Sequence, residues 1–284
     1  MAELSASQSS IPQRKERYAL GWMRDNASVV IGLTFLTVLL FCSFVAPMPY
    51  EPTRPDPFAT SQPPSLQHWF GTDGNGFDVF SRTIASAQRD IPLAIAGTLA
   101  SLLVGATLGL LASTKSRGSE YIVRTFDVLQ AFPMIIVATA VVTLMGNKLE
   151  NVVLAIVLLN VPRFLRLIRS EALVIRESRF VEAAQAIGAG PGRILLRHIL
   201  PNVIGTMLAQ CSIAAAHSII VIAALSFIGV GVSPPDPSWG LMIQEGARQL
   251  IVGRWWIVAF PGLAVLLSVA AFNLVADGLQ RRYE

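Results

Sequence analysis

Six apolar runs alternate with polar segments along the chain, at about residues 27–48, 91–112, 126–145, 151–168, 203–227 and 257–275. Each is close to the ~20 residues a helix needs to cross the hydrocarbon core of a bilayer. The first run contains no charge and is closed by Pro47 and Pro49. No small-residue cleavage site follows it, so it reads as a retained span and not a removed signal. In the second run Gly105 and Gly109 form a small-xxx-small pair, suited to close helix packing. Pro133 marks a kink in the third, which neighbouring helices have to satisfy. The pattern predicts an all-α integral membrane protein with six transmembrane helices.

The polar segments differ in character. Residues 49–90 form a long Pro-rich stretch containing His68-Trp-Phe-Gly-Thr-Asp-Gly-Asn-Gly-Phe-Asp-Val-Phe-Ser-Arg82. Asp73, Asn75 and Asp78 suggest a calcium loop, but the sixth position is Asp78 where an EF-hand needs Gly, and the twelfth is Ile84 where it needs Glu. A glycine-rich turn fits better, followed by a short amphipathic helix over Val79–Arg89 lying at the membrane surface. Ser113–Arg124 is a short basic loop, Gly146–Glu150 a tight one, and Arg163, Arg166 and Arg169 crowd the end of the fourth span. Gly229–Gly240 breaks the chain after the fifth span. Leu241–Arg254 is too charged to cross alone, and Trp255-Trp256 reads as an interfacial aromatic pair.

Composition agrees with this pattern. The 284 residues are 53% hydrophobic and 14% charged, against about 25% charged in soluble domains. Cys42 and Cys211 both fall in apolar runs and read as buried small hydrophobes, not as a disulfide framework. With the N-terminus inside, sixteen Lys and Arg fall on inner segments and six on outer ones. The positive-inside rule then predicts a multi-pass protein with both termini in the cytoplasm. Residues 1–26 form the cytoplasmic tail and residues 49–90 the outer loop.

The chemistry is mostly negative. No Gly-xxxx-Gly-Lys-Ser/Thr phosphate loop is present, and no carboxylate lies deep in an apolar run. A secondary transporter driven by protons or sodium usually carries mid-membrane ionisable groups. His217 is the single such group read here, and no second His, Cys or acid has metal-ligand spacing with it. It is read first as a hydrogen-bonded packing residue. His217 and Gln210 are the polar pathway candidates of the fifth span. The chain carries a path and no motor: not an enzyme, with no metal and no bound cofactor of its own, and no nucleic-acid partner.

A docking element lies where a motor can attach. Arg179–Asn202 is polar and helix-prone between two apolar runs. It predicts two short helices, with Gly188, Gly190 and Gly192 supplying the turn and Pro191 opening the second helix. Ile194, Leu195, His198 and Ile199 share one face of that helix. Ala183 and Ala184 permit close approach, and Glu182 and Arg193 offer charge at the contact.

This stretch resembles the "EAA" loop of ABC-importer permeases: Glu182-Ala183-Ala184, three residues, Gly188, then Leu200-Pro201 at the family distance. His198 stands where the pattern has Ile. Gly71-Thr-Asp73 with Gly76-x-Asp78-Val-x-Ser-Arg82 is similar to C-type permease subunits of the dipeptide/oligopeptide/nickel family. So are Leu225–Gly231, Pro234-Pro-x-Pro-x-Trp-Gly240, Trp255-Trp256, Phe260–Leu263, Phe272–Leu274 and Asp277–Leu279. The likeness runs from about residue 20 to the end. That family carries Arg at the position of Phe77 and a Gly-Ala-Arg run near Ser86–Arg89, which implies a loop meeting a different partner or ligand.

The resemblance implies a type I ABC-importer permease fold, with residues 91–284 as the permease core and 171–202 as the cytoplasmic coupling loop. It implies a bacterial inner-membrane subunit paired with a homologous B-type permease. Two ABC ATPase subunits carry ATP and magnesium, and a periplasmic or lipid-anchored binding protein delivers substrate. Glu182, Ala183, Ala184, Gly188 and Arg193 would meet the ATPase. Gly231, Pro234, Pro235, Trp239 and Gly240 would face the binding protein. Di- or oligopeptides are the expected substrates, with nickel, opines, glutathione and haem as alternatives.

Overall fold

The computed structural model describes residues 27–114 and 117–283. The basic tail Met1–Asn26 and Lys115 lie outside the described residues. Among the described residues the elements are helical, apart from one isolated bridge between Thr72 and Asp78. They are α1 (Ala27–Val45), α2 (Val79–Ala112), α3 (Arg117–Gln130), α4 (Met134–Met145) and α5 (Leu149–Arg176). Then follow α6 (Arg179–Ala186), α7 (Pro191–Ile194), a π-turn over Leu195–Ile199, α8 (Leu200–Phe227), α9 (Trp239–Ala247) and α10 (Trp256–Tyr283). Five helices are long and apolar enough to cross a membrane, and six spans result if α3 and α4 count as one.

Three expectations change. Val79–Arg89 is not a separate surface helix: it is the first third of α2, which runs unbroken through Pro92 for 34 residues. Asp78 starts it by accepting the backbone N–H of Ser81 at 2.7 Å, a side-chain cap that satisfies one orphan donor of the first turn. Pro133 gives a break, not a kink. It cannot donate a backbone hydrogen bond, α3 stops at Gln130, and α4 leaves at 88° to it. The helix that carries the fourth apolar run also continues past residue 168, because α5 runs on to Arg176. Arg163 is therefore near the middle of a helix and not at its end.

Glycine governs how the helices meet. A Cβ on Gly97 would lie 2.6 Å from Ile156, one on Gly105 2.5 Å from Phe164, and one on Gly109 2.8 Å from the Leu165 carbonyl. These three positions let α2 lie directly against α5. Around that seam Ile91, Ala94, Ile156, Leu159, Ile219 and Ile222 form the main core. A second core at the other end joins Phe164, Ile168, Val181, Ile194, Ile199 and Val203. Ile31, Phe41, Leu99, Leu103, Leu263 and Leu266 point outward, as lipid-facing residues do when the solvent is itself apolar.

Candidate functional site

At one end of the bundle α6 and α7 form the predicted pair of short helices. Val181, Ile194 and Ile199 are buried and pin the pair onto α5 and α8. Gly188 has φ +86°, and a Cβ there would meet nothing within 4 Å. Its need for glycine is conformational, not steric. Its N–H donates to the Gln185 carbonyl at 2.9 Å and the Ala189 N–H to the Ala184 carbonyl at 3.0 Å. That pair of bonds is the Schellman motif, which closes a helix through one left-handed residue. The helix carrying Glu182 thus stops at Ala186 and the chain reverses within four residues.

Glu182, Ala183, Gly188 and Arg193 are exposed. Ala184 is not: it is buried within this chain, so it holds the loop together instead of presenting surface. Phe180 and Ile187 take the outward places and are large exposed apolar residues. His198, where the family pattern has Ile, brings its ring to 6.4 Å from that of Phe180.

At the opposite end a lid is built from residues 49–82 and 229–255. Trp239 is fully buried, and its indole N–H donates to the Thr83 carbonyl at 2.8 Å. The start of α9 has no cap from its own Ser238; the Asp90 carboxylate of α2 accepts the Trp239 N–H at 3.0 Å and the Ser238 hydroxyl at 3.3 Å. Gly240 is pressed onto the Ala223 carbonyl of α8. Gly231 is buried, φ +102°, with its absent Cβ only 2.8 Å from Val152. The expectation that Gly231, Trp239 and Gly240 form an outward face is therefore corrected. They are interior, while Pro234 and Pro235 are exposed.

Phe77 is also interior. Its ring lies 4.1 Å beneath the Arg82 guanidinium, a cation–π contact. Arg82 is buried and donates to the carbonyls of Pro52 at 3.4 Å and Pro235 at 3.3 Å. Phe77 is thus taken up inside the lid. Asp73 Oδ1 accepts the N–H groups of Asn75 and Phe77, both at 2.9 Å, and Asp78 pairs with His68 at 2.9 Å. Among the described residues no cluster of His, Cys, Asp and Glu can hold a metal. Burial raises the Asp73 carboxyl above its usual range, opposed by the N–H of Phe77 and the nearby Arg82. Burial raises that of Glu245 as well, again opposed by Arg82.

Between the two ends, Thr98 of α2, Asn160 of α5 and Ser218 of α8 meet inside the bundle. The Ser218 hydroxyl lies 3.1 Å from both the Thr98 oxygen and the Asn160 Nδ2. His217, next to it, turns outward and half-buried, toward Arg163. Gln210 is half-buried on the same helix.

Residues 97–284 match the family described as binding-protein-dependent transport system inner membrane component. The chain belongs to this family of transport permeases. It is 37% identical to the dipeptide transport system permease protein of Alkalihalophilus pseudofirmus, over 93% of this chain and 88% of that protein. It is 38% identical to glutathione transport system permease proteins of Pectobacterium atrosepticum, over 91% of this chain and 87% of that one, and of Escherichia coli, over 93% and 86%. Glu182 and Gly188 lie on the short helix pair between α5 and α8, and Pro201 stands in the first turn of α8.

Several residues of the permease carry no signal in the linear pattern. Asp90 stands at the edge of an apolar run, and only the fold brings it to Trp239, 149 positions away. Asn160, Ser218 and Thr98 are ordinary span residues in sequence. Arg163 belongs by spacing with its neighbours Arg166 and Arg169, and only the packing of α8 sets it beside His217.

Proposed function

We propose that this chain is one of two different permease subunits in an ATP-driven peptide importer of the bacterial inner membrane. A homologous B-type subunit completes the pathway. Two ATPase subunits dock beneath, hydrolyse ATP with magnesium, and move the loops; this chain itself catalyses nothing. The observation that carries the reading is the loop 179–199. It exposes Glu182 and Arg193 beside apolar Phe180 and Ile187, and is held stiffly by Val181, Ile194 and Ile199. A rigid helix pair of this kind transmits a push instead of absorbing it, as rigid-body switching between outward-open and inward-open states requires.

The positive-inside bias puts that loop and both termini in the cytoplasm. The lid at the other end then faces the binding protein, with Pro234 and Pro235 among its exposed residues. His217 and Gln210 lie along the pathway. Peptides are the substrate class because relatives over nearly the whole chain carry dipeptide and glutathione names, and glutathione is itself a small peptide.

Affinity purification from the native membrane, with mass spectrometry, tests the assembly. The expected result is two ATPase chains, a second permease and a binding protein. Recovery of this chain alone, under detergent that preserves such complexes, overturns the reading. Glu182→Arg should leave the assembly in the membrane and abolish ATP-driven uptake.

A further inference from the structure

Arg163 is the fifteenth residue of the 28-residue α5. At 1.5 Å per residue it sits about 20 Å from either end of that helix. Its side chain is exposed on this chain. A guanidinium on a membrane-spanning helix is costly to leave in lipid, so the face carrying it lies against protein or lines a watery path.

The surroundings leave its charge uncompensated. Among the described residues Arg163 forms no ion pair. Its Nη2 lies 3.3 Å from His217 Nε2. A guanidinium only donates, so Nε2 accepts, and the ring is neutral with its proton on Nδ1. His217 therefore orients Arg163 without adding a second charge. One turn along, Arg166 is matched by Asp127 at 3.5 Å and donates to Gln130. Arg163, His217, Arg166 and Gln130 line a cavity of about 230 Å³ between the α3–α4 break, α5 and α8. Its remaining wall is apolar, including Met134, Leu159 and Val221.

We propose that Arg163, oriented by His217, binds the carboxylate of the molecule in transit. A planar fork of N–H donors matches a carboxylate two-to-two, and the apolar wall accommodates the part attached to it. One net positive charge suits a monoanion. The free C-terminus of a peptide has this chemistry, so the inference rests on the peptide reading and gives it a contact inside the membrane. The α3–α4 break that opens the cavity beside Arg163 follows from Pro133.

The test uses the assembled transporter, with its binding protein, in proteoliposomes supplied with ATP and offered a protein hydrolysate. Mass spectrometry reads the accumulated peptides. Arg163→Ala is expected to accumulate peptides roughly tenfold more slowly or worse, the factor for one lost charge-assisted contact. Its binding-protein-stimulated ATP hydrolysis and its second permease should be retained, and Arg163→Lys should recover part of the uptake. Uptake by Arg163→Ala at the wild-type rate overturns the site and leaves the peptide function standing. Loss of the second permease from the purified Arg163→Ala complex assigns the cation to the subunit interface and also overturns the site. Absence of any peptide uptake by the wild type overturns the peptide reading, and this inference with it.

Discussion

The carboxylate of Asp90, in α2, accepts the backbone N–H of Trp239 at the start of α9, 3.0 Å away and 149 residues along the chain. It supplies the cap that Ser238 does not give its own helix and ties the lid to a membrane-spanning helix. The Trp239 indole, bonded to Thr83 one turn from the α2 start, fastens the same joint a second time.

Removing either half of this joint should loosen the lid before it affects the coupling loop. Asp90→Ala leaves the Trp239 N–H and the Ser238 hydroxyl unpaired and is expected to cost about 1.5–3 kcal/mol. Trp239→Ala removes a fully buried ring and should cost about 3–5 kcal/mol. Thermal unfolding of the purified permease pair in detergent checks both. Unchanged melting for Trp239→Ala would mean the lid is not part of the cooperative unit.

Glycines at the two ends should fail for opposite reasons. Gly188→Ala meets no atom but forces a side chain onto φ +86°, costing about 1 kcal/mol, with modest loss of transport. Gly188→Pro also removes the N–H that bonds Gln185 and should abolish uptake while the protein remains in the membrane. Gly240→Ala is sterically blocked by the Ala223 carbonyl and Ser226 and is expected to lower stability more than Gly188→Ala. Comparing melting temperature with uptake for the three variants separates strain from decoupling.

Ser218 is the hub of a buried polar triad. Ser218→Ala strands Thr98 and Asn160 and should cost about 0.5–2 kcal/mol, the range for one hydrogen bond between membrane helices. Thr98→Val together with Ser218→Ala should cost less than the two single changes added, since both remove the same contact. Additive losses in unfolding measurements would show that the two hydroxyls do not interact.

Burial raises the Glu245 carboxyl above its usual range, and its Oε2 has no hydrogen-bond partner among the described residues. The folded protein then holds the proton more tightly than the unfolded chain does. Stability from this group is fully present below the ordinary carboxylate value of about 4.3 and is lost as pH rises through the raised one. Glu245→Gln should therefore raise the melting temperature at pH 7, by roughly 1–3 °C, and flatten its fall between acid and neutral pH. An unchanged pH slope would show that the carboxylate is effectively solvated.

The spans and the docking loop are largely legible in the order of residues. A run of some twenty apolar residues has few alternatives in a bilayer, because every backbone polar group must be satisfied within the helix. The Glu-Ala-Ala to Leu-Pro spacing likewise reads directly, since a helix, a glycine turn and a second helix are local features. The α3–α4 break is legible as Pro133, but its 88° size is not: proline removes one hydrogen bond locally, and the angle depends on what α5 and α8 leave room for.

Local pattern does not decide which side of each helix faces inward. Ala184 and Trp239 read as surface candidates and are interior; over Trp239 it is α2, arriving from distant sequence, that closes. Arg163 reads as the end of a span and sits mid-way along its helix, because α5 continues for another thirteen residues on contacts to the short helix pair that follows it. Hydrophobicity and short-range turn chemistry are enough to establish that this protein crosses a membrane and carries a short helix pair between two spans. That Asp90 caps α9, and that Arg163 faces a cavity beside His217, emerges only once the helices have packed. Such contacts join residues 54 to 149 positions apart, a distance over which no hydrophobic period carries information.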